Sequence, residues 1–115
     1  MIDWNRVAEL REEVGAMGFS EVLDLFLEEV EGVLDTLGAQ RDRLGEDLHF
    51  LKGSAWNLGF ASFGVLCQAG ERLLATGRAE VDIAAIRDCY ARSKAQFMER
   101  APEFCGAPVT GSAAA

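Results

Sequence analysis

The stretch that decides the fold is Leu48-His49-Phe50-Leu51-Lys52-Gly53-Ser54-Ala55-Trp56-Asn57-Leu58-Gly59. Its apolar residues recur at steps of three and four, which is the period of a helix that buries one face. Together with the preceding turn they are Leu44, Leu48, Leu51, Ala55 and Leu58. At 100° per residue from Leu48, this set falls at about 280–360°, whereas His49, Lys52, Gly53 and Trp56 fall at about 40–140°. We therefore predict a helix with one buried stripe and a separate outer stripe that carries the histidine.

The outer stripe has the composition of a site for chemistry on an anion. His49 is the only histidine in the chain, and Lys52 and Gly53 follow it at the helix-neighbour spacings of three and four. The Lys52 ammonium suits charge neutralisation of a phosphoryl group on the ring. A glycine inside a helix costs roughly 1 kcal/mol relative to alanine, so Gly53 indicates that the space above the ring is needed. A single histidine is more often structural, and this spacing is what favours a function.

The pattern His49-x-x-Lys52-Gly53-Ser54-Ala55-x-Asn57-Leu58-Gly59 resembles the core of the histidine-containing phosphotransfer (HPt) domain. The resemblance implies a bacterial-type phosphorelay protein that accepts a phosphoryl group on His49 from a receiver-domain aspartate and passes it to another receiver. It also implies that this chain binds no cofactor and that Mg²⁺ comes with the receiver. The expected partners are receiver domains of response regulators and hybrid histidine kinases.

Helix start and stop signals divide the chain into five predicted helices. Four side chains are placed to cap helix N-termini, and they are Asp3, Ser20, Ser62 and Asp82. The predicted ends are near Val14 (with Gly15 and Gly18 as the break), Gly38, Gly59, Gly77 and Pro102, and the His49 helix starts near Asp42. Short connections favour antiparallel neighbours. The prediction is an all-α, up-down antiparallel four-helix bundle with a short additional N-terminal helix, formed by residues 1–105, followed by a tail at residues 106–115.

Composition excludes several other classes of protein. The net charge of −8 argues against binding to nucleic acid or to anionic membranes. The odd and widely spaced Cys67, Cys89 and Cys105 favour free thiols over a disulfide framework, and with one histidine they give no metal-ligand spacing. No apolar run approaches the roughly 20 residues of a membrane span, and no nucleotide-binding loop occurs. We expect a cytoplasmic monomer that carries phosphate but does not phosphorylate itself from ATP.

Two alternatives share the same surface. One is an adaptor that binds and regulates receivers without carrying phosphate. The other is an enzyme that uses His49 as a general base, which is disfavoured because no acidic or nucleophilic residue shares its stripe within a turn. Trp56 and Phe60 are predicted to project beside His49, either as an aromatic patch that docks a partner or packed against a neighbouring helix.

Overall fold

The structure of the protein is a computed structural model that describes residues 1–77 and 81–104. Within those residues every regular element is helical, which confirms the all-α prediction. The helices are α1 (Trp4–Val14), α2 (Ala16–Thr36), α3 (Leu44–Leu58), α4 (Ala61–Ala75) and α5 (Ile83–Phe104), and a 3-10 turn (Arg41–Arg43) leads into α3.

Four of the helices close around a shared core. Helix α3 contacts both α2 and α4, helix α5 contacts both α4 and α2, and α1 lies against α2, α3 and α5. Each of the helices α2, α3, α4 and α5 contributes to the largest fully buried side chains, which include Val30, Leu48, Leu51, Phe63 and Phe97. The apolar stripe predicted for α3 therefore faces this core, and its opposite side remains at the surface.

Most of the predicted helix ends are confirmed by their hydrogen bonds or backbone angles. The Asp3 carboxylate accepts from the Arg6 amide at 3.2 Å, and that of Asp82 accepts from the Ala85 amide at 3.0 Å. Gly59 ends α3 in the left-handed conformation, with φ 84°, which L side chains adopt only with strain. A side chain at Gly59 would also meet the Asp3 carbonyl oxygen at 2.7 Å, because the N-terminal segment crosses this turn.

Four residues predicted to mark helix boundaries do not do so. Gly18 and Ser20 lie inside α2, which begins directly after the turn at Gly15, and Ser62 lies inside α4, which begins directly after Phe60. Pro102 does not end α5, which continues to Phe104. A proline removes one helical hydrogen bond, and near a helix end this loss affects few other residues.

The thiols of Cys67 and Cys89 are free and buried. Burial, with smaller contributions from Cys89 and Glu71, raises the pKa of Cys67 to about 12, so this thiol is a core group. The predicted tail at residues 106–115 and Cys105 lie outside the described residues. In the part of the chain that is described, none of the helices is both long and apolar enough to cross a membrane.

Candidate functional site

The site is built on the outer side of α3, opposite its core stripe. Leu48 and Leu51 are fully buried, whereas 73% of the His49 side chain between them is accessible. The helical period predicts this placement, because His49 lies about 100° from Leu48 around the helix. The imidazole thus reaches the surface from a backbone that the core holds rigidly.

A carboxylate from the neighbouring helix connects His49 to Lys52. The Oε2 atom of Glu71 on α4 lies 3.0 Å from His49 Nδ1, and its Oε1 atom lies 2.8 Å from Lys52 Nζ. The side chains of Glu71 and Lys52 are each about a fifth exposed, so this ion pair lies deeper in the surface than the imidazole. We call His49, Lys52 and Glu71 the site cluster.

The charge of Glu71 determines which nitrogen carries the proton when the His49 ring is neutral. Burial by itself would raise the pKa of the Glu71 carboxyl, but the hydrogen bonds and charges of Lys52 and His49 outweigh it and lower that pKa below its usual 4.5. An ionised carboxylate only accepts hydrogen bonds, so the proton of a neutral imidazole is on Nδ1. The lone pair is then on Nε2, the nitrogen that this hydrogen bond leaves free.

Space beside the imidazole is provided by Gly53. A Cβ atom built at Gly53 meets no heavy atom within 4 Å. The glycine is therefore not required by close packing inside the protein, and its effect is to leave the surface next to the ring low and accessible.

The Trp56 side chain is partly packed against α4 and partly exposed to solvent. About 40% of the residue is accessible. The rest lies against α4, where a Cβ atom at Gly64 would come within 2.7–2.9 Å of three carbons of the six-membered ring. Gly64 thus forms a slot that holds one face of the indole.

The predicted position of Phe60 is wrong. The residue is fully buried, and its ring lies 5.5 Å from that of Phe97 and 6.1 Å from that of Tyr90. The helical arithmetic placed it beside His49, but α3 ends at Gly59, and the turn there redirects the chain toward the core. A ring in this position cannot contact a docked partner.

Sequence reasoning missed Glu71, although its helix contains a signal. Glu71 is the only acidic residue of α4 and follows Cys67 by one turn, at the edge of the buried stripe. The prediction that no acidic residue lies beside His49 within a turn holds for α3 alone, because the structure brings Glu71, 22 positions further along the chain, to the imidazole. The described residues hold no group of three or more His, Cys, Asp or Glu side chains placed to bind a metal ion.

The segment of the chain that contains the site cluster matches a known protein family. The family model described as the Hpt domain matches residues 21–100, more than half of the 115-residue chain. The chain belongs to the Hpt domain family. Comparisons with curated proteins and with solved structures found no match. Hpt domains act in phosphorelay signalling as phosphoryl carriers rather than kinases, and they interact with receiver domains. The match covers α3 and α4 in full and most of α2 and α5, so it includes every residue of the site cluster.

Proposed function

We propose that this Hpt domain is the phosphohistidine intermediate of a multistep phosphorelay and that Nε2 of His49 is the atom that carries the phosphoryl group. The observation that supports this most directly is the hydrogen bond between His49 Nδ1 and the Glu71 carboxylate. It directs the lone pair to Nε2, and the ring that bears it is largely exposed.

The transfer step is a displacement at phosphorus. The Nε2 lone pair forms the N–P bond while the bond from phosphorus to the receiver's aspartyl oxygen breaks, and that aspartate leaves as a carboxylate. The proton on Nδ1 stays between the ring and Glu71, so the positive charge that develops on the imidazole faces a carboxylate. Passing the group to a second receiver reverses these bond changes with a new aspartate as the acceptor. Such transfers depend mainly on alignment and charge neutralisation.

Lys52 and Gly53 serve the phosphoryl group itself. The Lys52 ammonium rests 2.8 Å from Glu71, one helical turn from the imidazole. From there its flexible side chain can extend to a phosphoryl oxygen once the ring is modified. Gly53 leaves room for that group and for the approaching receiver, in agreement with the open space beside it.

We also propose how the chain contacts the receiver and where in the cell it acts. The exposed part of Trp56 contacts the receiver, since a rigid, half-buried indole is a common anchor of protein interfaces. Mg²⁺ is supplied by the receiver. The chain acts in the cytoplasm, and α2 to α5 alternate in direction as the short connections between them predict.

A transfer assay tests this function. Each receiver domain from the same genome is phosphorylated with a radioactive label and mixed with this protein, and the label on the protein is followed over time. At least one receiver should label the wild-type chain, and the bond should be acid-labile and base-stable.

The matched control is His49→Gln. It should take up no label and should keep its melting temperature, because the exposed ring contributes little to the core. Labelling of a folded His49→Gln protein would contradict the proposal. Receiver binding without any labelling of the wild type would instead indicate an adaptor.

A further inference from the structure

Helix α2 carries a partly exposed apolar surface at the edge of the core. We call Val22, Leu25, Phe26 and Val33 the α2 face. Leu25 is 59% exposed, and the other three are partly buried. Two shallow grooves follow this surface. One of about 230 Å³ lies along Val22, Leu25 and Phe26, and one of about 660 Å³ runs from Val33 to Phe50 on α3.

The α2 face is continuous with the site cluster across α3. On that helix His49, Gly53 and Phe50 follow one another around the exposed side, at about 100°, 140° and 200° from Leu48. Gly53 has no side chain to interrupt the surface, and Phe50 is 38% exposed at the edge of the larger groove. A partner seated over His49 can therefore extend along one surface to α2.

The charge around the α2 face restricts the chemistry of that partner. Helix α2 contains six acidic residues and no lysine or arginine. Glu21, Glu28 and Glu29 are the helix-surface neighbours of Leu25, four residues before it and three and four after it. Arg43 is the one basic residue that lines the larger groove, and Glu29 and Asp47 line it as well. An acidic rim around an apolar stripe is complementary to an apolar ridge bordered by lysine and arginine, and it opposes pairing with a second copy of itself.

We propose that the α2 face, together with Phe50, is the surface that selects the cognate receiver, and that the receiver covers it with a helix whose apolar ridge is flanked by basic residues. This inference rests on the proposed function, since continuity with His49 is what assigns the partner. The apolar centre supplies affinity, and the acidic rim supplies discrimination and a rapid, salt-dependent encounter.

The test compares two substitutions at equally exposed apolar residues. Leu25→Glu places a charge in the α2 face, and Val65→Glu places one on α4, where Val65 is 57% exposed. The Kd for the receiver that labels the wild type fastest is measured by calorimetry at two salt concentrations. We expect Leu25→Glu to raise the Kd at least about tenfold and Val65→Glu to change it less than about twofold.

The charge argument has its own pair of variants. Glu29→Lys should weaken binding and reduce its salt dependence, whereas Glu99→Lys, on α5, should do neither.

Three results would overturn the inference. If Leu25→Glu and Val65→Glu bind alike while the wild type is labelled normally, the α2 face is not the selecting surface and the proposed function stands. If sedimentation shows a dimer that Leu25→Glu dissociates, the face is covered by a second copy. If no receiver labels the wild type, the proposed function fails and this inference falls with it.

Discussion

Two carboxylates in this bundle hold a lysine and a ring in similar ways, yet they act differently. Glu71 pairs with Lys52 and His49 in the site cluster. Glu31 on α2 pairs with Lys94 Nζ at 2.5 Å and accepts from the Tyr90 hydroxyl at 2.7 Å, and we call these three residues the bundle cluster. The residue Tyr90 is buried, with 6% of its surface accessible, whereas the His49 side chain is 73% exposed.

The difference lies in where each ring points. The Tyr90 ring lies 5.3 Å from the Phe63 ring and joins α5 to the core, and burial raises the pKa of its hydroxyl, so it stays protonated. His49 is anchored only through Nδ1 and leaves its second nitrogen to solvent. A similar pairing of charges thus stabilises the fold in one place and prepares a nucleophile in the other.

The largest expected effect comes from removing the buried ring. Tyr90→Ala should lower the free energy of unfolding by about 3–5 kcal/mol, as for other large aromatic residues in cores. Urea titration at pH 7 measures this loss. The folded fraction should transfer phosphate at the wild-type rate, and a transfer defect in a stable Tyr90→Ala protein would contradict the division between the clusters.

A substitution beside the exposed ring should have the opposite signature. Gly53→Leu should slow phosphotransfer about a hundredfold or more, because it displaces the receiver from the reacting nitrogen. Stability should rise by up to about 1 kcal/mol, since a glycine is removed from a helix interior and nothing lies within 4 Å of the new Cβ. Quench-flow transfer rates give the first effect and thermal melts the second.

Gly53→Ala provides the graded control for this steric argument. It should retain most of the helix stabilisation with a much smaller loss of rate. Equal rates for wild type and Gly53→Leu would show that the space beside His49 is not used.

The two lysines allow the clusters to be compared directly. Lys52→Ala should slow phosphotransfer about tenfold, because one donor to the phosphoryl group is lost, with a stability change within about 0.5 kcal/mol. Lys94→Ala is the matched variant and should leave the transfer rate unchanged. A rate loss of similar size in both variants would mean that net charge, rather than position, is what matters.

The smallest effect concerns the pH dependence of stability. The ionised form of Glu71 is favoured in the folded protein, so its contribution is complete above its usual pKa of 4.5 and is lost as the pH falls through the lower folded value. Glu71→Gln should be less stable than wild type by at most about 1 kcal/mol at pH 7. Urea titrations from pH 7 to pH 3 should show this difference shrinking below pH 4.5, and a constant difference would mean that charge pairing is not its source.

The sequence predicted the parts of this account that depend on one helix at a time. The period of α3 placed Leu48 inward and His49 outward, and the signals at Asp3, Gly59 and Asp82 marked helix ends that the structure confirms. These features follow from local geometry, which repeats every few residues.

Features that depend on how two helices meet could not be predicted in this way. Glu71 reaches His49 only because α4 packs against α3 in one particular register, and no spacing within either helix encodes that register. Phe60 was misplaced for a related reason. The helical period was extended to residue 60, but the helix ends before it, and the turn at Gly59 directs Phe60 into the core.

The measurement that tests the central claim most directly is the position of the phosphoryl group on the histidine ring. The protein, labelled with ¹⁵N in its single histidine, is phosphorylated by its receiver and studied by nuclear magnetic resonance at neutral pH. We expect phosphorus coupling to Nε2 of His49, with the proton retained on Nδ1 beside Glu71. Coupling to Nδ1, or a phosphoryl group on a residue other than His49, would contradict the account.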